Sequence, residues 1–211
     1  MVTKRSFVLA LLVAIAPAWS YGNPARDTSP TILVLGDSVS AGYGLASNEG
    51  WVALLQDRLK SQGYGYRVVN ASVSGETTTG GLARLPRALS VHRPQIVIVE
   101  LGGNDGLRAL PLETSRRNLE RIIETAQISG ARVLLLGMKI PPNYGPKYSQ
   151  GFEGVFRDLA RRHRLPFEPF FLERIALVPG MIQADGLHPT AKAQPAMLDT
   201  VWPVLKPMLR R

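Results

Sequence analysis

The chain has 211 residues, is 45% hydrophobic and carries a formal charge of +9 with no cysteine. That length suits one domain with a single sizeable core, and the missing cysteines exclude disulfides and thiolate metal sites. The positive charge is scattered; its densest run, Arg161-Arg162-His163-Arg164, reads as the polar end of a helix, and no aromatic-interleaved basic stripe marks a nucleic-acid binder.

At the start, Lys4 and Arg5 precede an apolar run from Phe7 to Ala16, and Ala16-Pro17-Ala18 offers small residues where a signal peptidase reads. Residues 1–18 are therefore expected to be a secretory signal peptide, because a run of about ten residues is too short to span a bilayer. Residues 19–30 read as a flexible leader, and 31–211 as the folded domain. A periplasmic or secreted location without stable membrane insertion follows.

The run Thr31 to Gly36 is a short apolar strand that stops at glycine and presents Asp37 and Ser38. Ligands bind at the carboxyl ends of strands in open α/β sheets, so Ser38 is a candidate nucleophile. Gly36 can take the sharp turn, and a helix starting just beyond would aim backbone N–H groups at a developing oxyanion. Taken alone, Asp37 and Ser38 read as a cap of the next element.

Further along, 50–62 sets Trp51, Val52, Leu54, Leu55 and Leu59 on one helical face, and 66–70 reads as a strand. The runs 95–101 and 131–137 have the continuous apolar character of strands buried on both faces. Between them, 114–129 places Leu119, Ile122, Ile123 and Ala126 at helical spacing, and Gly130 stops the helix. A helix over 152–163 and a short strand over 165–170 come next. The last helix carries Met197, Leu198, Val201, Trp202, Leu205, Met208 and Leu209 on one side, with Pro195 at its start and Pro203 expected to kink or divide it. This alternation implies an α/β class, three-layer α/β/α fold around a parallel sheet of about five strands.

All strands of a parallel sheet end on one edge, so Gly36-Asp37-Ser38, the 70–75 loop and Gly102-Gly103-Asn104-Asp105 should line one crevice. A further stretch, Asp185-Gly186-Leu187-His188, completes the set. On a helical turn residues three apart are neighbours, so Asp185 can orient His188 and leave its other nitrogen for the Ser38 proton. His92 and His163 have no such partner and read as structural. There is no Gly-x-Ser-x-Gly elbow, P-loop, full Gly-x-Gly-x-x-Gly or His/Cys metal spacing, so neither cofactor nor metal is expected.

These blocks resemble those of the SGNH hydrolases, or GDSL esterases/lipases. The stretches 69–75, 81–86, 100–108 and 141–145 further resemble the bacterial arylesterase, acyl-CoA thioesterase and lysophospholipase subgroup, and the likeness runs from about 31 to 209. The resemblance implies a flavodoxin-like α/β/α fold, with Ser38 as nucleophile, His188 as general base and Asp185 as its orienting carboxylate. It also implies an oxyanion hole from the backbone N–H groups of Ser38 and Gly75 plus the Asn104 amide. Its substrates would be aryl and short-to-medium acyl esters, acyl thioesters and lysophospholipids, hydrolysed without a cofactor by a monomer. Glu76 and Thr78 stand where the subgroup more often has Asp and Ser, and Lys139 where a glutamine is expected. Tyr144 and Tyr148 are candidates for an apolar wall against an acyl chain; the other reading is a proline-stiffened turn. A carbohydrate acetyl esterase of the same family and a non-catalytic lipid or glycan binder remain as alternatives.

Overall fold

The computed structural model describes residues 29–211, so the expected signal peptide and nearly all of the leader lie outside the described residues. The elements are β1 (Thr31–Gly36), α1 (Ser38–Ala41), α2 (Trp51–Ser61), β2 (Arg67–Asn70), α3 (Thr78–His92), β3 (Ile96–Glu100), α4 (Gly103–Leu107), α5 (Leu112–Ile128), β4 (Arg132–Leu136), α6 (Pro146–Arg162), β5 (Phe167–Glu168) and α7 (Gln194–Leu205). The strands form one parallel sheet in the order β2-β1-β3-β4-β5. Strand order reverses between β1 and β3, the switch point at which doubly wound sheets open a crevice.

Strict alternation along the strands divides the core. Leu33, Leu35, Val97, Val99, Val133 and Leu135 face one cluster with α3, α5 and α6, whereas Ile32, Val34, Ile96, Ile98, Leu134 and Leu136 face the other with α2 and α7. Successive side chains on a strand point to opposite faces, so a strand sandwiched between helix layers must be apolar throughout. All twelve of those side chains are at most 2% exposed. Among the described residues no helix is long and apolar enough to cross a membrane.

Several boundaries depart from expectation. Helix α3 had no clear signal, because Gly80, Gly81 and Pro86 weaken the pattern; burial of Leu85 and Leu89 and an N-cap at Thr77 hold it together. Helix α6 begins at Pro146 rather than near 152, since proline is well tolerated in a first helical turn. Strand β5 is only two residues long, with Pro169 just beyond it. Helix α7 is not divided at Pro203: it runs through to Leu205 and tightens into a 3-10 turn over Lys206–Met208, so the bond lost at proline falls close to an end.

The β1–β3 register pairs Gly36 with Glu100. A Cβ at position 36 would lie 2.6 Å from Glu100 Oε2, 2.7 Å from Ser40 Cβ and 2.8 Å from Ser72 Oγ, so only glycine fits where the chain turns from β1 into α1. Gly36→Ala is expected to cost about 1–3 kcal/mol, the usual penalty for overpacking a filled site. An unchanged urea midpoint would show that these neighbours move aside freely.

Candidate active site

Ser38 opens α1, with Asp37 as its N-cap: Asp37 Oδ1 accepts from the Val39 N–H at 3.0 Å. The short helix is pinned from below and from the side. Glu100 Oε2 accepts from the Ser40 hydroxyl at 2.5 Å and from the Asp37 N–H at 3.3 Å, Trp51 Nε1 donates to Ser40 Oγ at 3.2 Å, and Asn70 Nδ2 donates to the Ser40 carbonyl at 2.7 Å. A hydroxyl carried on so constrained a turn has little freedom to leave its partner.

That partner is His188. Its Nε2 is 2.9 Å from Ser38 Oγ and its Nδ1 is 2.7 Å from Asp185 Oδ2, across 150 positions of sequence in the first case. The Asp185–His188 segment is not helical, contrary to expectation. It is a tight loop closed by an antiparallel bridge between Ile182 and Pro189 and by the Gln183 N–H donating to the His188 carbonyl at 2.7 Å. Within it, Asp185 Oδ1 accepts from the N–H groups of Leu187 at 2.9 Å and His188 at 3.0 Å. These two backbone bonds, followed by the imidazole, hold the Asp185 carboxyl down at about 2, so it stays anionic.

The other expected residues gather on the same edge. Gly75 sits in a turn with φ 76°, and its N–H has no acceptor among the described residues. Asn104 opens toward the same place from α4, but its amide is already engaged: Nδ2 donates to the Glu76 carbonyl at 2.9 Å and to Asp37 Oδ2 at 3.2 Å. Asp105 points away and is structural, accepting from the N–H and hydroxyl of Thr78 and from the Ser115 hydroxyl. Tyr144 and Tyr148 donate their hydroxyls to the carbonyls of Leu107 and Leu110 at 2.7 and 2.8 Å, which ties them to the loop that follows Asn104. Lys139 lies 3.8 Å from Glu153 and over the Phe170 ring.

Four contributors were not singled out from sequence. Arg84 of α3 pairs with Glu76 at 2.6 Å and donates to the carbonyls of Gly36 and Ala71, so one guanidinium fastens two of the strand-end loops. Arg108 donates to the Gly75 carbonyl at 3.2 Å. Gln183 donates to the carbonyls of Tyr43 and Pro189, and the Tyr43 ring packs 4.5 Å from the His188 ring, centroid to centroid. Only a lone Arg inside a helix and a lone Tyr after a glycine mark these positions in the sequence. Elsewhere, Glu120, Glu124 and His163 hold potential ligand atoms within 4.8 Å of one another, but Glu120 is bonded to Arg162 at 2.7 Å.

A Ser–His–Asp relay at the carboxyl edge of a parallel α/β sheet is the arrangement of an acyl hydrolase. Residues 34–195 match the GDSL-like Lipase/Acylhydrolase family, and the chain belongs to that family and is a hydrolase. Among its relatives, Esterase TesA of Pseudomonas aeruginosa is 53% identical over 184 residues, covering 87% of this chain and 92% of that protein. Thioesterase 1/protease 1/lysophospholipase L1 of Escherichia coli is 42% identical over 179 residues, 85% of each chain. A crystal structure of TesA superposes with a TM-score of 0.83, covering 85% of this chain and 99% of that one.

Beneath Ser38 lie two buried carboxyls, Asp37 at 3% exposure and Glu100 at 0%. Burial raises both, Asp37 to about 6 against the Val39 N–H and His188, and Glu100 well above the carboxylate range with Asp37 adding to it. An acid whose pKa rises on folding favours the folded state while protonated, and that contribution is lost as pH climbs through the folded value. Asp37→Asn, which caps a helix equally well but cannot ionise, should therefore gain on the wild type between pH 4 and pH 8, by up to about 3 kcal/mol. Urea unfolding of both proteins at the two pH values tests this; a difference independent of pH would rule out an elevated Asp37.

Proposed function

We propose that this hydrolase cleaves carboxylic esters and thioesters by two successive acyl transfers through Ser38. The observation that carries the reading is the unbroken relay from Ser38 Oγ through His188 to Asp185, at 2.9 and 2.7 Å. As Oγ attacks the carbonyl carbon, His188 Nε2 takes the hydroxyl proton, and the imidazolium that forms is stabilised by an Asp185 that is ionised throughout. The carbonyl oxygen becomes an oxyanion facing the N–H of Ser38, the free N–H of Gly75 and the Asn104 amide. To serve it, Asn104 gives up the longer of its two bonds, the one to Asp37, and keeps the one to Glu76. Collapse of the intermediate expels an alcohol, phenol or thiol that leaves with the proton from His188. Water then attacks the acyl-Ser38, His188 takes its proton, and the carboxylic acid departs with the serine restored.

Aryl esters, acyl thioesters and lysophospholipids are the proposed substrates, in keeping with relatives named as esterase, arylesterase and thioesterase/lysophospholipase. Exposed Tyr43, Val73 and Leu187 flank the Ser38–His188 pair and supply apolar surface for an acyl chain. Tyr144 and Tyr148 act at one remove, by stiffening the loop after Asn104. The amino-terminal pattern of a charged pair, an apolar run and a small-residue site supports export to the periplasm or beyond.

The test is a chain-length series of p-nitrophenyl esters and acyl-CoA thioesters on wild type, Ser38→Ala and Asn104→Ala. Wild type should turn over both classes and Ser38→Ala neither, while Asn104→Ala should lose about 10²–10³ in kcat with KM little changed, as for one oxyanion donor. Undiminished turnover by Ser38→Ala, or no labelling of Ser38 by a fluorophosphonate, would sink the mechanism. Because a protonated imidazole cannot accept the serine proton, kcat/KM should fall toward acid pH. A flat profile from about pH 5 to 8, in steps where acyl transfer limits the rate, would remove His188 as base.

A further inference from the structure

The edge of the sheet opposite Ser38, where the strands begin, is strongly one-sided in charge. The segments that enter the strands and the carboxyl-terminal turn (62–67, 93–96, 129–132, 163–166 and 206–211) carry Arg67, Arg93, Arg132, Arg164, Lys206 and the Arg210–Arg211 pair, and no Asp or Glu. The loops on the Ser38 edge carry both signs instead, with Glu49, Glu76, Glu173 and Asp185 alongside Arg108, Lys139 and Arg174. The excess of positive charge therefore lies on the edge opposite Ser38.

Two adjoining grooves lie on the basic edge. One, of about 740 Å³, is lined by Gln127, Arg132, Arg164, Leu165, Val204 and Met208; the next, of about 590 Å³, by Tyr66, Gln95, Arg132, Arg210 and Arg211. Arg132, Arg164 and Arg210 form no ion pair among the described residues, although their neighbours Arg161 and Arg162 are paired with Asp158 and Glu120. The basic run in the sequence is therefore split: its first members are neutralised on α6, and Arg164 is carried past the helix end in a left-handed conformation, φ 51°. Arg93 ends α3 in the same way at φ 43°. Glycine is the residue this conformation favours, so arginine at both stops is not the choice that helix stability alone would make. Ile128, 87% exposed, and Val91, 64% exposed, project from the ends of α5 and α3 on this same edge.

We propose that this edge is a docking surface for an anionic phospholipid bilayer. The guanidiniums of Arg132, Arg164 and Arg210 meet the headgroup phosphates, each adding to an attraction that reaches only about a Debye length, while Ile128 and Val91 enter the boundary of the acyl region. Apolar groove walls and exposed aliphatic side chains favour an amphiphilic surface over nucleic acid, because the aromatics of this edge are not offered for stacking: Tyr66 is buried and Tyr64 packs against Trp202. Docked this way, the Ser38 crevice faces the aqueous phase, so the enzyme gathers at a membrane while acting on molecules that approach from solution. Adsorption does not depend on the chemistry of Ser38, so the two readings can fail separately.

The experiment is co-sedimentation of the protein with phosphatidylcholine vesicles, with and without phosphatidylglycerol, for wild type and an R132Q/R164Q/R210Q variant. Wild type should partition onto the anionic vesicles only and be released by high salt. The variant should lose about a hundredfold in partition coefficient, since each basic residue near such a surface contributes about 1 kcal/mol, and should hydrolyse a soluble p-nitrophenyl ester at the wild-type rate. Wild-type binding that ignores lipid charge or survives high salt overturns the proposal without recourse to any variant. So does a variant that partitions like wild type, or retention of wild type on duplex DNA without vesicle binding.

Discussion

The pairing of Gly36 with Glu100 at the end of the β1–β3 ladder is the contact on which the site depends. It brings two strand-end loops side by side at the one place where the sheet changes direction, so the Ser38 turn and the Gly102–Asn104 turn face the same space. Because the approach is too close for any side chain at position 36, the Glu100 carboxyl can sit directly under α1 and accept from Ser40 and from the Asp37 N–H. A sheet with both faces buried cannot slip by one residue without turning every strand side chain to the wrong cluster. The alternating core therefore fixes the geometry of the Ser38 turn from a distance.

Placing two acids in that position is unfavourable for the fold. Asp37 and Glu100 are removed from water and lie beside one another, and Glu100 Oε1 and Ser72 Oγ have no hydrogen-bond partner among the described residues. What the arrangement provides is a rigid floor. Asp37 joins the cap of α1 to the amide of Asn104, and Arg84 links the same turn to the 71–76 loop. Strain and unfavourable charge concentrated at a reacting centre, with the cost carried by an extensive core, is the usual balance between stability and activity.

The histidine loop is held by different means. It joins no strand of the sheet and approaches Ser38 from a separate segment, so its position rests on Gln183, on the Ile182–Pro189 bridge and on contact with Tyr43. Asp185 is the more exposed member of the relay, yet it is kept ionised by two backbone N–H groups of its own loop. Here the local turn, more than the core, sets the electrostatics.

The sequence made legible the parallel α/β class, the succession of strands and the burial of Leu119, Ile122, Ile123 and Ala126, and it offered Ser38, Asn104, Asp185 and His188 as candidates for one site, because each rests on local periodicity or on a block of a few adjacent residues. It did not disclose α3, whose glycines and proline oppose a helix that tertiary burial of Leu85 and Leu89 sustains, nor the start of α6 at Pro146. The engagement of Asn104 by Asp37 and Glu76, the bracing by Arg84, Arg108 and Gln183, and the gathering of Arg132, Arg164 and Arg210 at the opposite edge belong to the tertiary structure alone. Each joins residues far apart in the chain, and their distances follow from how helices and loops pack on the sheet rather than from any pattern along the sequence.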